Sequence, residues 1–289
     1  MYGNISNHKK VKKMKVFNLS DVCFFDCETT GLPAKGAKWD VDFMQFPHVV
    51  QLAWSFGEKE RSFIVLPDGW EIPAEAAEIH GITTERAIAE GVPFAEIVDE
   101  FLADATEAQL ICAHNIYFDT SMIKSNILSV CGKEYYDQKA EDALFKGKRV
   151  DTMYKTIKFV GACYPNGRPG KFPKLEELYA KLFDNETFPA HNALEDVRAL
   201  RRCVPELVSL GLIELVQKEY PAEQLELKPQ TGGRKIEFSD PNPVTIPPGA
   251  CADFTPQAGT PGINAGTYPE AKEMDPSTKA LLDADKSEF

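Results

Sequence analysis

The sequence predicts an α/β protein built on a five-stranded mixed sheet with helices on both sides. Three observations predict it. Apolar runs of strand length at 22–27, 49–56 and 61–66 lie close enough together for a three-stranded antiparallel meander. Two later segments, the apolar run 110–113 and the short Arg149-Val150-Asp151-Thr152, each lead straight into a helix, as strands do when they run parallel to the first. Elsewhere, apolar residues recur at helix spacing.

The first strand is Val22-Cys23-Phe24-Phe25 and continues into Asp26-Cys27-Glu28, followed by a Thr29-Thr30-Gly31 turn. A loop over 33–47, with Gly36 and Pro47, separates it from the hairpin of 49–56 and 61–66. From 73 to 102 the spacing is helical, interrupted by His80-Gly81-Ile82-Thr83. The run 110–113 is apolar throughout and so predicts a central strand buried on both faces, with a helix after it to about Val130. Residues 131–148 are polar and read as a connection, and Asp151 reads as a helix cap. Two helices complete the unit: one over 173–183, with Leu175, Leu178, Tyr179 and Leu182 on one face, and one over 193–210, with Leu194, Val197, Leu200 and Val204 inward.

Three segments are expected: a lysine-rich leader over 1–19, one catalytic unit over 20–215 and a Pro/Gly-rich tail over 216–289. The tail has few large apolar residues, so no second core is expected of it, and it reads as disordered. The leader is not followed by the apolar stretch and cleavage site of a signal peptide, and no run is long enough to span a membrane. Seven cysteines without a Cys-x-x-Cys pair suggest free thiols in a reducing compartment. A cytoplasmic protein is therefore expected. Its net charge of −12 argues against long-range gripping of duplex nucleic acid, which needs many cationic contacts. Brief engagement of a strand end is still compatible with that charge, because bound cations reverse the local potential of an acidic site.

Side chains alternate along a strand, so Asp26 and Glu28 leave the first strand on the same face. Two carboxylates held there repel one another and need a proton, a cationic partner or a metal, and oxygen donors suit a hard ion such as Mg²⁺ or Mn²⁺. A solvated strand end explains Asp-x-Glu alone equally well. Two further segments add chemistry: Ala113-His114-Asn115-Ile116-Tyr117-Phe118-Asp119 after the fourth strand, and His191-Asn192-Ala193-Leu194-Glu195-Asp196 at the start of the last helix. Taken in order, Asp-x-Glu-Thr-Thr-Gly-Leu, His-Asn-x-x-Phe-Asp and His-x-Ala-x-x-Asp resemble the three motifs of the DEDDh (DnaQ-like) 3′-to-5′ exonucleases over about residues 20–208. That family includes the proofreading epsilon subunit of bacterial DNA polymerase III.

The resemblance implies a ribonuclease H-like fold and a site holding two Mg²⁺ or Mn²⁺ ions on Asp26, Glu28, Asp119 and Asp196, with His191 as the base that takes a proton from the attacking water. It also implies that Thr29, Thr30 and Leu32 hold the terminal nucleotide, with His80, Asn115 and Phe118 as further substrate-side candidates and His114 orienting the site. Capping accounts for Gly81 and Thr83, and core packing for Phe118, without any such role. The implied activity is hydrolysis of single-stranded DNA from its 3′ end to nucleoside 5′-monophosphates, in proofreading or repair, with a polymerase as a partner for the tail. An exoribonuclease and a non-catalytic partner-binding module are the alternatives. The complete set of four carboxylates and a histidine speaks against the module, and nothing in the sequence decides DNA against RNA or sets the oligomeric state.

Overall fold

The structure is a computed structural model that describes residues 17–144 and 146–216. Most of the expected leader and nearly all of the expected tail lie outside the described residues. The strands are β1 (Val22–Thr29), β2 (Val49–Phe56), β3 (Lys59–Ile64), β4 (Leu110–Ala113) and β5 (Arg149–Asp151), and they form one sheet of order β3-β2-β1-β4-β5. The pairs β1–β2 and β2–β3 are antiparallel, whereas β1–β4 and β4–β5 are parallel. The helices are α1 (Ala74–His80), α2 (Thr84–Glu90), α3 (Phe94–Glu107), α4 (Ile116–Val130), the single turns α5 (Lys133–Tyr135) and α6 (Glu141–Ala143), α7 (Thr152–Val160), α8 (Leu175–Leu182) and α9 (Ala193–Ser209). This is a ribonuclease H-like architecture, as expected.

Alternation along β1 divides the core. Cys23, Phe25 and Cys27 pack with Phe101 of α3 and Ile123 of α4 on one face. Val22 and Phe24 pack with Leu178 of α8 and Val197, Leu200 and Val204 of α9 on the other. With both faces covered, the strand is apolar until its last turn. Asp26 and Glu28 continue the Val22–Phe24 register, so they emerge on the α8–α9 side.

Local differences from the sequence reading have local causes. β3 starts at Lys59 rather than Arg61, because only Gly57 and Glu58 turn the hairpin, with Gly57 at φ +59°, and the polar Lys59 and Glu60 already pair with Phe56 and Ser55. The helical stretch from 73 is three helices. Gly81, at φ +71°, ends α1, and the Thr83 hydroxyl accepts from the Arg86 N–H to start α2. The presumed connection after residue 131 contains α5, a π-helical turn over 136–140 and α6, and it buries Tyr136, Ala140, Ala143 and Leu144 in the first core.

Cys23, Cys27, Cys112, Cys131 and Cys203 are free thiols. Cys163 departs from the expectation, since it is disulfide-bonded. Phe17, inside the expected leader, is buried, and its N–H donates to the Leu215 carbonyl at 2.9 Å. Among the described residues no helix is long and apolar enough to cross a membrane.

Candidate active site

The end of β1 and the start of α9 meet over one small volume. Carboxylate oxygens of Asp26, Glu28 and Asp196 all lie within 4.8 Å of one another. The placement of α9 is specified by polar groups at its first turn. The Asn192 side chain accepts from the N–H groups of Leu194 and Glu195, and the buried amide of Gln51 accepts the Ala193 N–H at 3.1 Å. Gln51 sits opposite Glu28 in the β1–β2 register and also donates to the Ser62 hydroxyl, so it ties the helix start to the sheet beside the acidic pair. Asp196 is held by the Asn192 N–H, which donates to it at 3.1 Å. Sequence reasoning missed Gln51. Its signal was a lone amide within the apolar run of β2.

Asp119 arrives from the opposite face. It lies in the first turn of α4, whose entry is set by Asn115 in the left-handed conformation at φ +74°. Its Oδ1 accepts from the Cys27 N–H at 3.1 Å and from the Cys27 thiol at 3.3 Å. The structure therefore gathers Asp26, Glu28 and Asp196 into one cluster and leaves the Asp119 carboxylate beside it, turned onto β1.

The electrostatics follow from this crowding. Burial, then Asp119, Asp196, Glu28 and Glu176, raise the Asp26 pKa well above the carboxylate range. Burial and Glu176 raise Glu28 to about 7. Asp196 is raised to about 8 by burial, Glu28 and Glu176, against the pull of the Asn192 and His191 backbone N–H groups. Burial raises Asp119 to about 7, opposed by its two Cys27 bonds. Among the described residues no lysine or arginine pairs with any of the four. Hard oxygen donors packed together without a cation fit a divalent ion such as Mg²⁺ or Mn²⁺.

His191 stands at the cluster's rim in the left-handed region, φ +65°, a conformation that costs a non-glycine residue free energy. Its Nε2 lies 3.6 Å from Oε1 of Glu176, in the first turn of α8. Sequence reasoning assigned that helix to core packing alone and passed over Glu176.

The other candidates are dispersed around this centre. The Thr29 hydroxyl donates to the Gly31 carbonyl at 2.7 Å, and the Thr30 hydroxyl accepts from the His48 N–H at 2.9 Å, so both shape the turn after β1. Leu32 is 61% exposed, and Phe118 packs against the first core. His80 is buried. Its Nδ1 accepts from the Ile82 N–H, so Nε2 carries the ring proton and faces the Thr29 backbone, with which it makes no hydrogen bond of ordinary geometry among the described residues. Burial lowers the ring's pKa, and the Thr29 backbone interaction opposes that. His114 is internal: Nε2–H donates to the Pro173 carbonyl and Nδ1 accepts from the Thr152 hydroxyl, both at 2.9 Å, and burial lowers its pKa to about 4. It thus clamps the end of β4 to the segments leading into α7 and α8. Asp151 caps α7 by accepting from the Met153 and Tyr154 N–H groups, and it also accepts from Ile116 at the start of α4.

No curated protein matches the chain. Among solved structures, Escherichia coli exonuclease I in complex with a dA16 oligonucleotide shares 22% identity at a TM-score of 0.47, over 65% of this chain and 40% of that one. A moderately thermophilic exonuclease I from Methylocaldum szegediense shares 20% identity at a TM-score of 0.48, again over 65% and 40%. The match thus spans about two-fifths of the length of these proteins. The RNase_T exonuclease family model matches residues 23–203, a span that runs from β1 through most of α9 and covers well over half of the chain. The chain belongs to the RNase_T exonuclease family.

Proposed function

We propose that this protein is a metal-dependent 3′-to-5′ exonuclease that hydrolyses the terminal phosphodiester of single-stranded DNA and releases nucleoside 5′-monophosphates. The observation that carries this reading is the cluster of Asp26, Glu28 and Asp196, three carboxylates within 4.8 Å that form no ion pair with a lysine or arginine among the described residues. Asp119 completes the acidic set from the α4 side. Divalent cations held there would neutralise the scissile phosphate and activate the attacking water. Asp26, Glu28, Asp119 and Asp196 are the residues proposed to hold them, and both Mg²⁺ and Mn²⁺ fit the donors.

His191 is proposed as the base. It accepts a proton from water as the water oxygen bonds to phosphorus, while the bond from phosphorus to the 3′-oxygen breaks and leaves its electron pair on that oxygen. Thr29, Thr30, Leu32, His80, Asn115 and Phe118 remain proposed contacts for the terminal nucleotide. Among these, His80 is supported by its place, buried and facing the backbone of Thr29 in the turn after β1. The catalytic unit is taken as 20–215, with the tail as the segment available to a polymerase partner in proofreading or repair.

Matched single-stranded DNA and RNA oligomers, labelled at the 5′ end, test the reading in parallel. A ladder that shortens from the 3′ end of DNA, arrested by a 3′-phosphate, is expected. Faster loss of the RNA would move the assignment to an exoribonuclease, and cleavage of a circular single strand at the linear rate would remove the exonuclease reading.

A further inference from the structure

Glu176 has no structural partner that explains its position. Its neighbour Glu177 is fully employed, accepting from the Lys174 N–H at 2.8 Å to cap α8 and from Lys171 Nζ at 2.6 Å. Among the described residues, the only ion-pair partner of Glu176 is His191, at 3.6 Å, and its other electrostatic neighbours are the carboxylates of Asp26, Glu28 and Asp196 and the buried His114, whose two ring nitrogens are already engaged by Thr152 and Pro173. Placing a further acidic group against these three carboxylates is unfavourable unless it serves the group it faces. The helix N-terminus offsets part of that cost, but an acidic residue pointed at solvent would gain the same benefit.

We propose that Glu176 is a positioning residue for His191: its carboxylate accepts the Nε2–H, fixing the ring's tautomer and direction and leaving Nδ1 as the proton acceptor. A carboxylate behind an imidazole is a recurrent way to hold a base in its working tautomer. The 3.6 Å separation is slightly beyond a hydrogen bond, as such contacts often are before substrate is bound. The strained backbone of His191 gives the arrangement a purpose, because a left-handed residue just before α9 turns its side chain back toward α8.

This inference rests on the hydrolytic reading above, and a double-mutant cycle separates the two. Single-turnover and steady-state rates are measured for wild type, Glu176→Ala, His191→Ala and the double variant, with Mn²⁺ affinity followed by calorimetry. Glu176→Ala is expected to lower kcat by about tenfold or more with little change in KM. The double variant should be no slower than His191→Ala alone. Glu176→Gln, whose amide oxygen can still accept the N–H, should recover part of the loss, and Mn²⁺ affinity should stay within about twofold of wild type.

A wild-type kcat in Glu176→Ala, an additive loss in the double variant, or a parallel loss of Mn²⁺ affinity would each overturn the proposal. The last of these would make Glu176 a metal ligand. If Glu176→Ala melts below the assay temperature, Glu176→Gln and Glu176→Asp in both His191 backgrounds supply the same cycle. A wild-type protein without exonuclease activity, or a His191→Ala variant at the wild-type rate, would remove the hydrolytic reading itself and this inference with it.

Discussion

The Asp119 carboxylate is fastened to Cys27 by two bonds, at 3.1 Å from the backbone N–H and 3.3 Å from the thiol. Cys27 lies between Asp26 and Glu28 with its side chain on the opposite face of β1, so this contact carries the α4 carboxylate to the strand that bears the other two. An amide at residue 119 could still accept both bonds while losing its charge. Asp119→Asn should therefore fold with a melting temperature at least equal to wild type in chelator, while turnover falls by about 10² or more. Wild-type turnover in that variant, at saturating Mg²⁺, would show that the charge at 119 is not used.

The pKa values make a stability prediction for the metal-free protein. A carboxyl that binds its proton more tightly when folded than when unfolded contributes stability that is complete below about pH 4 and is lost as pH rises through its folded value. For Glu28, Asp119 and Asp196 those values are about 7, 7 and 8, all set first by burial. His114 works in the opposite direction, since its lowered pKa of about 4 costs stability as pH falls below the ordinary imidazole range. Between about pH 6.5 and 8.5 the carboxyls dominate. In chelator the melting temperature should fall across that window, excess Mg²⁺ should restore it at the upper end, and Asp196→Asn should flatten the slope. A flat or rising curve for the chelated wild type would contradict the crowding of these groups.

The strands were legible because their apolar runs face covered sheets, and Asp26 and Glu28 because period-two alternation needs no tertiary information. Asp196 was legible as a site residue through the resemblance of His191-x-Ala193-x-x-Asp196 to the third exonuclease motif, and its place at the start of an amphipathic helix followed from periodicity. What the sequence could not supply was pairing across the fold. Gln51 reaches Ala193 over a separation of 142 residues, and Glu176 meets His191 across two helix starts. The turns after residue 131 were missed for another reason. Tyr136, Ala140, Ala143 and Leu144 do recur at helix spacing, but the charged residues among them masked the pattern.

His80 offers a test of the substrate side. Its Nε2 is buried against the Thr29 backbone, with no hydrogen bond of ordinary geometry among the described residues. A buried polar atom left unmatched costs free energy that a ligand can recover. Under the proposed function, His80→Ala should raise KM for a short oligonucleotide by about fivefold to tenfold, with kcat much less affected. The Nδ1 bond to the Ile82 N–H is lost as well, so the melting temperature must be recorded beside the kinetics. An unchanged KM in a folded variant would assign His80 to the α1–α2 turn alone.

Every residue proposed for the site lies between Asp26 and Asp196, and the chain that closes the second core ends with Ile213 and Leu215. Leu215 is buried, and its carbonyl accepts the N–H of Phe17, itself buried in the same core. The described fold is thus tied between Phe17, just before the proposed unit, and Leu215 at its proposed end. Truncation after Lys218 keeps that tie and should leave turnover on short single-stranded oligonucleotides within about twofold. Truncation after Leu210 removes Ile213 and Leu215 from the core, and with Leu215 the carbonyl to which the Phe17 N–H donates. It should lower the melting temperature clearly, since burying each such side chain is worth roughly 1.5–3 kcal/mol. A protein ending at Lys218 that is folded yet inactive would mean that residues beyond it grip the substrate or complete the cleft, and the proposed boundary at 215 would have to move.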